Sequence, residues 1–331
     1  MAFVKLSPPD HPEAALVEAA GLRWLAQAAD DGGAPVVSVR SASRGSGPGQ
    51  QGPAQLRSTA QRGRLELEEL PTAAPDERAG EEFGRALART HGWLTRRRGD
   101  KDGGEDDGET PAAGREGFGV LPPEHPAQTP ASFGPAEQPL VMGAGVHPSW
   151  GTFLAQERLD PVLSGLDSEL TAEEARLLHA ARDRIAAGEL DDAEPPALIH
   201  GDLWSGNVLW TPTPSEPTPS ESLPSGAVDS GSARSGSARS GSAHSGSVRG
   251  TLIDPAAHTG HRETDIAFLH LFGLPQLEAV LRGYQREFPL TEGWQDRIGL
   301  HQFFCLGVHW LLFGPSYRRP TLRAAEEILT L

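Results

Sequence analysis

Residues 198–210 place three polar side chains at fixed spacing between two apolar runs. His200 and Asp202 flank one glycine, and Asn207 follows Asp202 by five positions. Asp254 ends a second short apolar run farther along the chain. For these side chains to act together, the apolar runs must form strands that bring the two segments to one site. This constraint predicts a mixed fold with a hairpin that carries the polar groups.

The spacing and residue types are typical of phosphoryl transfer from ATP. His-x-Asp-x-x-x-x-Asn is the spacing of a kinase catalytic loop. We predict that Asp202 is the base, which orients an acceptor hydroxyl and takes its proton. Asn207 and Asp254 offer the oxygen ligands that magnesium prefers. We expect His200 to brace the loop through hydrogen bonds.

Composition limits the class of protein. The 331 residues are enough for two packed lobes, and 45 acidic against 29 basic residues give a net charge of −16. Without a basic stripe, nucleic-acid binding through phosphates is excluded. The sequence has neither an apolar run of about 20 residues nor a signal peptide, which predicts a cytoplasmic protein without a membrane partner. Cys305, the single cysteine, lies in an apolar run and is expected to be a buried structural thiol.

Lysine is rare in this chain, so its positions carry information. Only two of the 29 basic residues are lysines, and Lys5 ends an apolar, strand-like stretch. A compact ammonium there suits a position between phosphates. We predict that Glu18, on the following helix, pairs with Lys5, with Glu13 as the alternative. Glu68 and Leu70 are placed beside them as ATP-binding residues.

Periodicity and turn signals predict the order of elements. Strands are predicted at 1–6, 35–40 and 64–70, helices at 12–29, 76–93 and 150–166, and a hairpin at 208–210 and 251–254. Another helix begins at Thr171, which forms a capping box with Glu174. Disordered inserts are expected at 43–63, 94–132 and 211–250. The order predicts an α+β, protein-kinase-like two-lobe fold: an antiparallel sheet lobe over 1–70 and a larger, mostly helical lobe over 71–331.

The region after Asp254 is predicted to be helical and apolar. Its expected core anchors are Trp294, Phe303, Phe304, Trp310 and Phe313. Asp265 opens the first of these helices, where a carboxylate is favourable, and it could also reach the backbone amides of the catalytic loop. We assign it to structural support. Arg262 and Glu263 could face the acceptor or pair with each other.

Several longer stretches resemble the fructosamine-3-kinase, or ketosamine kinase, family of the protein-kinase-like superfamily. The resemblance is carried by 3–5, 18–25, 83–91, 150–159, 200–207, 253–256, 260–273, 289–290, 293–294 and 312–314. It implies ATP- and magnesium-dependent phosphorylation of a sugar hydroxyl on a ketosamine, in a small molecule or a glycated protein, as a deglycation repair step. It also implies that Trp204, and less directly Trp150 and Glu263, contact the acceptor. We expect a monomer or weak dimer.

One departure from the family leaves alternatives open. Family members have two strands and a phosphate-covering turn before the lysine strand, whereas Met1 stands four residues before Lys5. We therefore expect a start that was assigned too late, or a lobe that lacks its first two strands. The alternatives are a related kinase for an aminoglycoside- or choline-like alcohol, and a degenerate nucleotide-binding protein without the glycine-rich loop.

Overall fold

The computed structural model describes residues 2–45, 62–101, 117–134, 139–213 and 247–331. Its strands are β1 (Ala2–Leu6), β2 (Val39–Ser43), β3 (Arg64–Glu68), β4 (Ala131–Phe133), β5 (Leu140–Met142), β6 (Ala197–Ile199), β7 (Val208–Pro212), β8 (Val248–Leu252) and β9 (His258–Gly260). Its α-helices are α1 (Ala14–Asp30), α2 (Glu77–Lys101), α3 (Trp150–Phe153), α4 (Asp160–Leu166), α5 (Ala172–Ala186), α6 (Arg262–Leu271), α7 (Leu277–Glu287), α8 (Ile298–Phe313) and α9 (Arg318–Ile328). A small sheet lobe thus precedes a mostly helical lobe, as predicted.

The small lobe is an antiparallel sheet in the order β1, β3, β2, covered by α1. Leu65 and Leu67 of β3 share one face because successive side chains of a strand alternate. Both are buried against Ala19 and Leu22 of α1. The predicted strands at 1–6 and 64–70 and the helix between them are therefore confirmed.

The predicted strand at 35–40 was partly wrong. Residues 39–43 form β2, but the preceding residues pair with the large lobe instead. The backbone N–H of Val37 donates to the carbonyl of Leu252 at 3.0 Å, and the N–H of Leu252 donates to the carbonyl of Pro35 at 2.8 Å. Because these bonds occupy the backbone, this segment ties the small lobe to the strand that leads to Asp254.

Two antiparallel pairs frame the catalytic loop. β7 pairs with β8, which confirms the predicted hairpin, and β6 pairs with β9. The loop of residues 200–207 leaves β6 and enters β7. Asp254 follows β8, so the two polar segments are brought together at one end of these pairs.

The helical lobe has a core centred on α8. Phe303, Phe304 and Trp310 are buried there with Phe268 of α6. Phe313 was wrongly predicted as a core anchor: it ends α8 and is 55 % exposed. The side chain of Thr171 caps α5 and Glu174 completes the capping box, as predicted. No helix in the described stretches is both long and apolar enough to cross a membrane.

Helices α2 and α7 approach each other very closely because glycine lies at the contact. A Cβ atom added at Gly84 of α2 would lie 1.9 Å from the carbonyl oxygen of Val280. One added at Gly283 of α7 would lie 2.1 Å from the carbonyl oxygen of Glu81. Since real atoms do not approach so closely, these two glycines set the distance between the helices.

The predicted inserts were wrong at their ends. α2 continues from 94 to 101, and Phe118 and Val120, also assigned to an insert, are buried. β7 and β8 include the ends of the insert predicted at 211–250, and β2 includes the start of the one at 43–63. Their central parts, 46–61, 102–116 and 214–246, lie outside the described residues. The domain boundary at 70 stays a prediction.

Candidate active site

The buried carboxylate of Asp265 binds the backbone of the catalytic loop, residues 200–207. Asp265 of α6 accepts the backbone N–H of His200 at 2.7 Å and that of Gly201 at 2.9 Å. Gly201 has a φ of 80°, a conformation that glycine adopts without strain. His91 lies 3.1 Å from the same carboxylate and bonds Tyr284 through its other ring nitrogen. Asp265 therefore supports the loop through its backbone amides, as predicted.

His200 also braces the loop. Its Nε2 lies 2.8 Å from the carbonyl oxygen of Ile253, and its Nδ1 accepts the N–H of Asp202 at 3.2 Å. A carbonyl only accepts, so Nε2 carries the proton and Nδ1 does not. Burial lowers the pKa of His200, against the opposing charge of Asp265. A neutral imidazole therefore links the loop to the segment before Asp254.

Asp202 and Asn207 are joined by a short network. The Asn207 side-chain amide donates to the backbone carbonyl of Asp202 at 2.8 Å and to its Oδ2 at 3.1 Å. Burial raises the pKa of Asp202 to about 7, and the charges of Asp265 and Asp254 act in the same direction. The bond from Asn207 opposes this rise without cancelling it. Asp202 is thus oriented, and it is a stronger base than an exposed aspartate.

Lys5 reaches from the small lobe to the carboxylate of Asp254. Its Nζ lies 2.8 Å from Glu18 Oε2 and 2.8 Å from Asp254 Oδ1. Burial alone would lower the pKa of Lys5, but these two carboxylates outweigh it and raise the pKa. Burial raises the pKa of Glu18 to about 7, although Lys5 opposes the rise. Glu18, not Glu13, is therefore the partner of Lys5.

Asp254 is held in an unusual conformation with its carboxylate toward the cleft. Its φ is 53°, in the left-handed region that non-glycine residues rarely adopt. Its side chain is 43 % exposed, and the preceding Ile253 donates its N–H to the carbonyl of Asn207 at 3.1 Å. Strained backbone of this kind is concentrated at functional sites.

The residues fit a hard cation. The side-chain oxygen of Asn207 has no hydrogen-bond partner among the described residues, because the contacts of this amide, with Asp202 and Asp254, all involve its nitrogen. Asp254 is adjacent to Asn207, because its backbone carbonyl oxygen lies 3.5 Å from the side-chain nitrogen of Asn207. Amide and carboxylate oxygens are the ligands that magnesium prefers, so Asn207 and Asp254 could hold that ion.

These side chains line one cleft of about 810 Å³ between the lobes. Lys5 and Glu18 line it from the small lobe, and Asp202 and Asn207 line it from the large lobe. The large-lobe side continues past Trp204 and the helix that begins at Trp150. The cleft is large enough for a nucleotide and a second small molecule.

Comparison with known proteins identifies the family. Residues 142–330, more than half of the chain, match the profile described as fructosamine kinase. The chain belongs to the fructosamine kinase family. Residues 2–218 also match the profile of the phosphotransferase enzyme family.

Individual relatives agree with this placement. A probable ketoamine kinase of Enterococcus faecium is 31 % identical over 186 residues, which cover 54 % of this chain and 52 % of the relative. The ketosamine-3-kinase of Mus musculus is 29 % identical over 182 residues, covering 54 % and 47 %. The chain thus spans about half the length of the curated relatives it matches.

Solved structures extend the likeness over the whole fold. A proposed fructosamine-3-kinase from Thermobifida fusca superposes with a TM-score of 0.65 at 30 % identity, covering 100 % of this chain and 86 % of the other. A second one, from Haemophilus somnus, gives a TM-score of 0.62 at 18 % identity, covering 99 % and 83 %, and supports the fold alone. The kinase-like fold predicted for this fructosamine kinase family member is therefore confirmed.

Glu263 does not lie where the sequence placed it. It is buried and receives two hydrogen bonds from Arg297, at 2.9 and 2.5 Å, with His301 3.4 Å away. Nor does it pair with its neighbour, since Arg262 pairs with Glu194. Glu263 is therefore committed to an ion-pair network and does not line the cleft among the described residues.

The two predicted tryptophans differ in exposure. Trp204 is 39 % exposed beside Asp202, with its ring edge-on to Phe272 at a centroid distance of 5.7 Å. Trp150 is buried, and its ring packs 4.5 Å from that of His301. Of these two tryptophans, Trp204 is the exposed one in the cleft, and its contact with an acceptor stays a prediction.

Glu68 and Leu70 lie away from the ion pairs of Lys5 with Glu18 and Asp254. Glu68 ends β3 opposite Ala2, and Leu70 packs with the apolar cluster between β3 and α1. Neither lines the cleft in the described residues, so the structure does not bring them to Lys5. Sequence reasoning also missed Arg158, which does line the cleft. An arginine within a predicted helix gives no indication of the direction in which its side chain points.

Proposed function

We propose that this chain transfers the γ-phosphoryl group of ATP to a sugar hydroxyl of a ketosamine. The observation that carries the proposal is the meeting of Lys5, Asp202, Asn207 and Asp254 in one cleft of a fructosamine kinase family member. The mouse relative is named for action on ketosamines, which supports this acceptor class.

Asp202 is the proposed base. Asn207 donates to Oδ2 of Asp202, which leaves Oδ1 available to an acceptor hydroxyl. A general base works best when its pKa lies near the working pH. The raised pKa of Asp202, about 7, meets that condition near neutrality. Asp202 would orient the hydroxyl for in-line attack and accept its proton as the phosphoryl group moves.

Lys5 is the proposed phosphate ligand. Glu18 holds its ammonium at the edge of the cleft, beside Asp254. Magnesium bound by the oxygens of Asn207 and Asp254 would neutralise charge on the phosphates. The proposal includes a cytosolic location and, as its biological result, removal of sugar adducts from amines.

Replacement of Asp202 tests the proposal. In Asp202→Asn we expect ketosamine-dependent ADP formation to fall by about 10²- to 10⁴-fold, the usual contribution of a general base. Asp296→Asn, an exposed position outside the cleft, is the matched control and should keep full activity. Undiminished turnover in Asp202→Asn would refute the assignment of the base. No turnover of any ketosamine by the folded wild-type protein would refute the proposed reaction.

A further inference from the structure

Arg158 is a buried cation on the large-lobe side of the cleft. It lies in the π-helical turn Leu154–Leu159 between α3 and α4, and it is only 6 % exposed. π-Helical turns are rare and are frequent at functional sites. Arg158 lines the cleft, so its small exposed surface belongs to that cavity and not to bulk solvent.

The contacts of Arg158 leave part of its guanidinium unused. Nη1 donates to the carbonyls of Gly143 at 2.9 Å and Glu157 at 3.1 Å. Phe153 covers one face, with its ring centroid 4.6 Å from Cζ. Within the described part of the chain, Nε and Nη2 have no hydrogen-bond partner, and no carboxylate lies within ion-pair distance. The edge formed by Nε and Nη2 is therefore free to bind a ligand.

The other lysine and arginine side chains along the described cleft wall are paired. Lys5 contacts Glu18 and Asp254, and Arg44 contacts Glu13. An arginine that is buried without an acid is costly, because its charge loses hydration and gains no counter-charge. Such a group indicates that the counter-charge comes from a molecule that enters the cleft.

Arg158 stays charged although burial opposes its charge, and its titratable neighbour His258 is neutral. Burial lowers the pKa of Arg158 to about 10, partly offset by the more distant Glu157, so the guanidinium stays protonated near neutrality. Burial, and then the charge of Arg158, hold the pKa of His258 at about 3. His258 is therefore neutral, and it supplies neither a counter-charge nor a second cation.

We propose that Arg158 binds an oxyanion of the acceptor, a carboxylate or a phosphate, through Nε and Nη2. This inference rests on the proposed function and names its acceptor class: ketosamines that carry an anionic group. A guanidinium edge matches the two oxygens of such a group. The oxyanion belongs to the acceptor because Arg158 is surrounded by large-lobe segments, at Gly143 and His258, whereas the phosphate-side cation is Lys5 of the small lobe.

Three synthetic acceptors distinguish the sources of the oxyanion. They are the fructose adduct of glycine, which has a free carboxylate, that of glycinamide, which lacks it, and the glycinamide adduct with a phosphate on the last sugar carbon. Calorimetry without ATP gives the Kd of each for the wild-type protein. We expect one anionic adduct to bind about 10- to 100-fold more tightly than the neutral one, the range for hydrogen bonds to charged groups. The preferred anion then tells whether the amine side or the sugar side faces Arg158.

Two variants and one control assign the effect to Arg158. In Arg158→Gln the preference should disappear, with the neutral adduct affected by less than about threefold, and Arg158→Lys should retain part of it. Arg182→Gln, which removes an arginine that pairs with Asp160 outside the cleft, should leave the preference intact. Thermal melting shows whether each variant is folded. The comparison of the three adducts with the wild-type protein does not depend on the folding of any variant.

Two results would overturn the inference. One is equal binding of the three adducts by the wild-type protein. The other is equal weakening of all three in Arg158→Gln, which would mean that Arg158 only anchors the backbone at Gly143. If Arg158-dependent binding of an anionic adduct is found without phosphoryl transfer, the proposed reaction fails and the inference stands. If phosphoryl transfer is found without an anion preference, the inference fails and the reaction stands.

Discussion

Replacement of Asp265 tests how the catalytic loop is held. Three donors converge on its carboxylate: the backbone N–H groups of His200 and Gly201, and the ring of His91. All three lie in the interior, and the Asp265 side chain is fully buried. Hydrogen bonding to His91 and the backbone of His200 lowers the pKa of Asp265 despite the opposing effect of burial. The Asp265 carboxylate is thus ionised, and both of its oxygens accept hydrogen bonds.

The hydrogen bonds of Asp265 determine the expected loss in the free energy of unfolding. Asp265→Ala leaves three buried donors without an acceptor, and each hydrogen bond to a charged group contributes about 1.5–3 kcal/mol. Relaxation and water entry recover part of the sum, so we expect a loss of about 4 kcal/mol in the free energy of unfolding, within the range for broken buried pairs. Asp265→Asn keeps one acceptor oxygen and turns an amide toward an N–H group, so about 2 kcal/mol is expected.

Thermal melting and steady-state kinetics measure the two consequences. A loss of about 4 kcal/mol lowers the melting temperature by roughly 6 °C in a chain of 331 residues, since the unfolding entropy is about 2.1 cal/mol/K per residue. Below that temperature, kcat should fall because His200 and Gly201 no longer fix the loop that carries Asp202. Glu278→Ala removes a carboxylate from the exposed first turn of α7 and controls for the helix-dipole effect, worth about 0.3–1 kcal/mol. If Asp265→Ala cost no more than this control, the view of Asp265 as the anchor of the loop would be refuted.

Three further changes have defined outcomes. Lys5→Met should raise the KM for ATP by at least about tenfold with a smaller effect on the acceptor KM, because a charge-assisted phosphate contact is lost; initial-rate kinetics measure both. Gly84→Ala should lower the free energy of unfolding by about 3 kcal/mol, because its new Cβ would lie 1.9 Å from the carbonyl oxygen of Val280. Burial raises the pKa of Glu263, but hydrogen bonds, first of all from His301, outweigh burial and lower this pKa to about 2. Its stabilisation should be complete above the unfolded pKa of about 4.3 and disappear as pH falls toward 2, and Glu263→Gln should flatten this dependence in unfolding curves recorded against pH.

The catalytic loop was predictable from sequence because its chemistry depends on short, fixed spacings. Asp202 and Asn207 are five positions apart, and the structure joins them by two hydrogen bonds. The pairing of Lys5 with Glu18 was predictable for a related reason. A strand followed directly by a helix leaves few acidic side chains within reach of the ammonium. In both cases the local order of elements limits the possible partners.

Glu263 and Arg158 were not predictable because their partners are set by tertiary packing. Glu263 is drawn away from the acceptor by Arg297, 34 positions later. Conversely, nothing in the sequence around Arg158 reveals that no carboxylate in the described stretches forms an ion pair with it. A charged residue in a helix most often faces solvent, and only the packed structure distinguishes the exceptions.

The end of α2 shows the limit of composition as a guide. Three consecutive arginines, at 96–98, lie in the insert predicted at 94–132, yet the helix continues through them. Arg97 lies over the ring of Trp93 at 4.9 Å, so the charged side chain covers an aromatic group one turn earlier. Charge predicts contact with solvent, but it does not predict where a helix ends.

Asn207 and Asp254 lie close together in the site although a long segment separates them in sequence. Asn207 and Asp254 are 47 positions apart, yet the Asn207 amide lies 3.5 Å from the carbonyl oxygen of Asp254. The pairing of Val208 with Leu252, and of each following residue through Pro212 with Val248, fixes this distance. At the far end of the hairpin the backbone N–H of Thr213 donates to the carbonyl of Ser247 at 2.6 Å, which extends the pairing to the last described residues on both sides. The spacing between Asn207 and Asp254 therefore depends on the ladder and not on the length of the segment that it closes.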